Sequence, residues 1–185
     1  MTTPSDDPAG DSVGSPRVAT WHMADDGTFP NNPNLPLILY QGAFHLPPGD
    51  PAGAIEQVFQ AHQWPPAWRF GVFDFHHYHS TAHEVLGVAR GGARVQLGGP
   101  EGTPFDVEVG DVLVLPAGVA HKNLGADPHF LVVGAYPEGQ DWDLLRGGPG
   151  ERPEADRNIE RVSLPAQDPV YGPEGPLVDH WERSS

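Results

Sequence analysis

Residues 71–91 read GVFDFHHYHSTAHEVLGVARG and gather His76, His77, His79, His83 and Glu84 into one short run of a chain that holds 10 histidines. Imidazoles crowded beside a carboxylate suit a transition-metal site. In a strand successive side chains alternate between faces, so His77 and His79 would leave from one face and His76 and Tyr78 from the other. Glu84 follows after a polar break at Ser80 and Thr81. A second segment, GDVLVLPAGVAH at 110–121, ends an apolar strand in a Pro and Gly turn and then offers His121. Together the two segments can supply three nitrogens and one oxygen to a single ion.

The rest of the chain bounds what surrounds such a site. Its 185 residues suffice for one domain with a real core and are too few for two comfortable ones. Gly and Pro are abundant, at 23 and 22, and helical periodicity is scarce, which makes the class mainly β. With 25 acidic against 10 basic side chains the formal charge is −15, so no nucleic acid and no membrane surface is expected as a partner. There are no cysteines, which excludes disulfides, iron–sulfur clusters and thiol catalysis and leaves His and carboxylate as metal ligands. The opening MTTPSDDPAGDSVGSP carries Asp6, Asp7 and Asp11 where a secretory signal needs positive charge and an apolar run, so residues 1–20 read as a disordered tail. No stretch approaches the roughly 18–20 apolar residues that cross a bilayer, and a soluble, cytoplasmic protein is expected.

Between 21 and 140 the pattern is one of short strands. An apolar run at 35–44 opens the domain, and strand signals follow at 68–79, 84–89, 93–97, 105–109, 112–115 and 130–136, joined by Gly-rich turns. One short helix is expected at about 51–63: Asp50 and Pro51 have the character of an N-cap and first helical residue, and Ile55, Val58, Phe59 and His62 share a face. So many short antiparallel strands must pack as a sandwich or close as a barrel to hide their edges. From 141 to 185 the chain turns Pro, Gly and charge rich, with isolated apolar anchors such as Leu145, Val170, Leu177 and Trp181. It reads as an extended arm lying on the barrel or on a partner subunit, and with it comes the expectation of a homodimer.

Read as one pattern, Gly71, His77-x-His79, Glu84 and Gly91 resemble the first cupin motif, G-x5-H-x-H-x4-E-x6-G, at every marked position. Gly110, Pro116, Gly118 and His121 resemble the second, G-x5-P-x-G-x2-H, although Gly125 stands where that pattern continues with Asn and Asn123 lies nearby. Within the superfamily, the phrases VLPAGVAHKNLG, FLVVGAYPEGQ and DPVYGPEGPL are similar to the YjlB-like cupins. The resemblance implies a single-domain jelly-roll β-barrel with one divalent transition metal per chain, iron, manganese, nickel, cobalt or zinc, held inside by His77, His79, Glu84 and His121. A kink at Ser80 or Thr81 would instead turn His83 inward in place of Glu84.

Alternation also suggests a pocket wall. Counting back by twos from His77 gives Phe75, Phe73 and Arg69, and forward from Glu84 gives Leu86 and Val88. These residues either frame a dry aromatic pocket, whose Arg69 orients a small carboxylate-bearing or phenolic ligand, or are simply core. Other chemistries find no support: no second carboxylate pairs for hydrolysis, no G-x-S-x-G elbow exists, and the Gly pairs join strands instead of opening helices. The expected function is that of a metal-dependent enzyme acting on a small organic molecule, by oxygenase-like or Lewis-acid chemistry. The alternative is a non-catalytic small-molecule or metal-binding module.

Overall fold

The computed structural model of the chain describes residues 12–182. Nine strands run in the order β1 (Arg17–Met23), β2 (Asn32–Gln41), β3 (Pro66–Phe70), β4 (Glu84–Arg90), β5 (Gly92–Leu97), β6 (Thr103–Glu108), β7 (Val112–Leu115), β8 (His121–Ala126) and β9 (Leu131–Ala135). Three helices, α1 (Pro51–Ala61), α2 (Glu154–Ile159) and α3 (Pro176–Glu182), complete the described elements. The strands form an antiparallel six-stranded sheet, β1-β2-β7-β4-β9-β3, packed against a three-stranded sheet, β6-β5-β8. This is the mainly β, jelly-roll architecture that the strand pattern and the cupin-like motifs lead one to expect.

The central strands of the large sheet are buried on both faces, and their alternation separates two cores. Leu37, Leu39, Leu86, Val88, Leu113, Leu115 and Val132 face the small sheet and meet Val95, Leu97, Phe105 and Val107 there. Their neighbours Ile38, Tyr40, Val85, Val112, Val114 and Val133 face outward and are covered by Ile55, Val58 and Phe59 of α1 and by Leu177 and Trp181 of α3. Each fully buried side chain of this kind contributes roughly 1.5–3 kcal/mol. The register fixes which β4 residues look inward, because Glu84 pairs with Leu115 and Leu86 with Leu113. Glu84 therefore enters the interior on the same face as Leu86.

Helix α1 begins as its sequence suggests, with Pro51 in its first turn and the Asp50 carboxylate accepting from Gly53 N–H at 3.0 Å. It ends at Ala61, short of the expected 63, and Gln63 then turns the chain at φ +66°. The helix lies close on β4 because Gly87 has no side chain; a Cβ there would sit 2.8 Å from Ile55 Cγ2.

Three expectations change. The tail expected over 1–20 gives way to structure: β1 starts at Arg17 and pairs with β2, Val18 opposite Tyr40 and Thr20 opposite Ile38. Residues 1–11 lie outside the described residues. The strand expected at 68–79 is two pieces, β3 and then an irregular run whose later part bridges β8. The arm, over its described residues 141–182, packs on its own barrel, one of the two placements expected, but is partly helical instead of extended throughout, and Val170, Leu177 and Trp181 are each 1% exposed. The DPVYGPEGPL segment in that arm turns around Asp168, a carboxylate with no solvent exposure. It accepts from Val170 N–H at 2.8 Å, from Tyr171 N–H and Leu177 N–H at 3.0 Å each, and from the Tyr40 hydroxyl on β2. No helix among the described residues is long and apolar enough to cross a membrane.

Candidate metal centre

Segment 73–79 runs beside β8 although it is not itself a regular strand. His77 N–H donates to His121 C=O at 3.2 Å and His121 N–H returns a bond to His77 C=O at 2.9 Å; Asn123 N–H reaches Phe73 C=O at 2.8 Å. His77 and His121 thus stand side by side, with ring centroids 4.0 Å apart, and His79 lies 5.7 Å from His121. One nitrogen from each of the three rings lies within 4.8 Å of the others, and all three residues are buried. Glu84 reaches them from the opposite sheet. Its Oε2 is 3.1 Å from His121 Nε2 and 3.3 Å from His79 Nε2.

The orientation of the rings is set from behind. His77 Nδ1 lies 3.0 Å from Phe75 C=O, His121 Nδ1 lies 3.1 Å from Val119 C=O, and His79 Nδ1 bonds the Asp143 carbonyl. A carbonyl can only accept, so each ring carries its proton on Nδ1 and turns the Nε2 lone pair inward, the arrangement metal-ligating histidines commonly use. Glu84 Oε1 is held by the Tyr136 hydroxyl at 2.8 Å, and that hydroxyl accepts in turn from Trp68 Nε1–H at 3.1 Å. Glu84 Oε2, by contrast, is buried with no aligned hydrogen-bond donor. Lone pairs converging on one small space, with a buried carboxylate oxygen left unbonded among them, fit a divalent ion in both charge and donor type.

The electrostatics agree with that fit. Burial and the neighbouring His121 push the His77 imidazole down to about 3, so it presents a lone pair. Burial works against the charged form of His79, but the Glu84 carboxylate and the Asp143 contacts outweigh it and raise the imidazole above its ordinary value. Burial would likewise raise Glu84; the His79 and His121 rings more than offset this and hold it well below the usual carboxylate range.

The sequence-predicted residues sort clearly in space. His77, His79, Glu84 and His121 are brought together. His83 is not: it is fully buried on the other side of the turn, its Nδ1 accepting from Ala117 N–H at 2.9 Å and its ring against Trp181 at 4.6 Å. Of the pocket residues, Phe73 and Leu86 line a cavity of about 300 Å³ that opens over the three histidines and Glu84. Val88 faces inward but belongs to the core between the sheets. Phe75 stacks on Phe73 at 4.8 Å under the Arg146 guanidinium, away from the cavity lining. Arg69 lies on the other face altogether, donating from Nε and Nη2 to the Glu56 carboxylate of α1 at 2.6 Å each. The alternation counted back from His77 fails because the irregular run after Gly71 shifts the phase, so that Trp68 and Phe70 face the cavity and Arg69 does not.

Six lining residues escaped the sequence reading, Trp68, Phe70, Val72, Tyr136, Trp142 and Leu144. Tyr136 had a signal, since counting by twos from Val132 through Gly134 puts it on the inner side just past the end of β9. Trp68 depends on that same glycine. It lies opposite Gly134 in the β3–β9 register, and a Cβ at Gly134 would fall 2.1 Å from the indole. Gly134→Ala is accordingly expected to force Trp68 off the sheet, break its bond to Tyr136 and cost about 1–3 kcal/mol in urea unfolding. An unchanged midpoint and unchanged Trp fluorescence would contradict that account.

Comparison with known proteins places the chain. The family described as Cupin matches residues 75–138, the part that carries all four clustered side chains. Over 162 residues the chain is 43% identical to the "Uncharacterized protein YjlB" of Bacillus subtilis (strain 168), covering 88% of this chain and 95% of that one. Among solved structures, a DUF861 family protein of Thermotoga maritima aligns with 46% of this chain and 91% of its own at 22% identity and a TM-score of 0.31. Procruciferin, an 11S globulin of Brassica napus, aligns with 85% of this chain and 36% of its own at 15% identity and a TM-score of 0.36. With its motifs gathered around one buried cluster and a relative this similar along nearly its whole length, the chain belongs to the cupins, in the group that contains YjlB.

Proposed function

We propose that this cupin is a metal-dependent enzyme acting on a small organic molecule, with one divalent transition metal per chain held by His77, His79, Glu84 and His121. The observation that carries the proposal is the pairing of each ring's Nδ1 with a backbone carbonyl while Glu84 Oε2 is buried without a donor. Bound there, iron, manganese, nickel, cobalt or zinc would supply Lewis-acid polarisation of a substrate oxygen and, for iron or manganese, reactivity toward dioxygen. The chain's own contribution is to fix the ligand set, exclude bulk water with an aromatic wall, and hold Glu84 to a single inward oxygen through Tyr136. One observation favours a binder without turnover as the second reading. Apart from the four ligands, Tyr136 is the one titratable residue lining the cavity among those described, and its hydroxyl is already engaged by Glu84 and Trp68.

Elemental analysis of protein purified without a metal-affinity tag is expected to find close to one transition metal per chain. His79→Ala combined with His121→Ala is expected to lose it; full occupancy in that variant would mean the ligands are others. Oxygen uptake by iron-loaded protein, followed over small phenols, thiols and keto acids, separates the enzyme from the binder. Of the arm's apolar anchors Val170, Leu177 and Trp181 are buried within this chain, while Leu144 and Leu164 stay exposed and keep the homodimer expectation open to test. A sedimentation mass at micromolar concentration decides it.

A further inference from the structure

The cavity above the candidate metal centre has a composition that narrows what can enter it. Its wall includes Trp68, Phe70, Phe73, Leu86, Tyr136 and Trp142 together with aliphatic side chains, and no Lys or Arg is among the described residues that line it. Arg69, the cation that sequence alternation would have put there, is committed to Glu56 on another face. A substrate with a carboxylate or phosphate at its far end would therefore find no counter-charge, and would lose its hydration against apolar rings. The mouth is apolar too. Phe70 is 61% exposed, Phe73 40% and Trp142 47%, so the large exposed hydrophobics here sit together around one opening. Trp142 lies flat on Tyr136, ring centroids 4.3 Å apart and planes 6° from parallel, which makes a two-ring platform at the entrance.

Size adds a second constraint. A cavity of roughly 150 Å³ accepts one benzene ring, and this one, at about 300 Å³, has room for a substituted single ring or two fused rings beside the ligand cluster. We infer that the substrate is a small aromatic hydroxyl compound, uncharged except at the oxygen that meets the metal, stacked against Trp142 and covered by Phe73. This inference rests on the metal-dependent reading above and extends it to the substrate class.

The test titrates cobalt(II)-loaded and metal-free protein by calorimetry with three probes: 2-naphthol, its saturated counterpart decahydro-2-naphthol, and 2-oxoglutarate. The cobalt visible spectrum is followed alongside. The inference expects 2-naphthol to bind and to perturb the cobalt bands, and both other probes to bind at least roughly tenfold more weakly. Trp142→Ala is expected to weaken 2-naphthol by roughly tenfold with the cobalt content of the protein unchanged. Failure of 2-naphthol to bind, equal binding of either other probe, or an unaffected Trp142→Ala variant would overturn it. The two levels fail separately. Absence of stoichiometric cobalt sinks the metal reading, while the titration of metal-free protein still decides whether the cavity selects aromatic rings.

Discussion

Asp168→Ala is expected to be among the most damaging single substitutions in the chain, although the residue is remote from the candidate metal centre. Its carboxylate receives the Val170, Tyr171 and Leu177 amides and the Tyr40 hydroxyl in a place with no solvent exposure. Alanine leaves those donors without their acceptor in a place closed to solvent. A buried unsatisfied donor costs about 1–3 kcal/mol; with partial relaxation the total is expected at about 3–5 kcal/mol, or on the order of 10 °C in Tm. Tyr40→Phe is the calibrating variant. It removes one donor and leaves the amides paired, so about 1 kcal/mol is expected. Comparable losses in the two variants would mean that the backbone turn is stable without its carboxylate.

The second large effect concerns the metal. In the metal-free chain Glu84 Oε2 is buried beside imidazoles that are not aligned to bond it. An ion that binds the folded state alone raises stability by about 4 kcal/mol at a free concentration a thousand times its Kd. For a chain of 185 residues that corresponds to a Tm rise on the order of 10 °C. Adding cobalt(II) or nickel(II) to chelator-stripped protein is expected to show this rise, and the variant carrying both His79→Ala and His121→Ala is expected to show none. A full shift in the variant would point to binding elsewhere, for instance at the acidic surface.

The sequence carried much of this architecture and lost the rest for identifiable reasons. The grouping of His77, His79, Glu84 and His121 was legible because their spacing resembles the two cupin motifs. Helix α1 was legible through Asp50, Pro51 and its apolar stripe. β1 was not, because RVATWHM has six of its seven residues exposed or half-exposed on an edge strand and no clean alternation. β8 was hidden for a similar reason: HKNLGA holds one buried residue, His121, and otherwise resembles a loop. The pocket wall was misassigned beyond Gly71, where the chain leaves extended geometry and period-two counting loses its phase. His83 was separable from Glu84 only with the β4–β7 register in hand. Trp142 lies in a segment without periodicity, and only the folded arm brings it to the barrel mouth.

That arm reaches further into the site than its position after the barrel suggests. The Asp143 carbonyl orients His79, and its carboxylate holds the Ser80 amide and hydroxyl; Thr81 and His83 are tied to Asp141 and Gln140 in the same way. A chain whose residues 140–143 have come away would keep its sheets and lose the aim of one ligand. Docking of this strap and the proposed capture of the ion are therefore linked equilibria, each strengthening the other by the same factor. Metal affinity would then report the last step of assembly, and an ion in short supply would be kept by finished molecules in preference to those still closing.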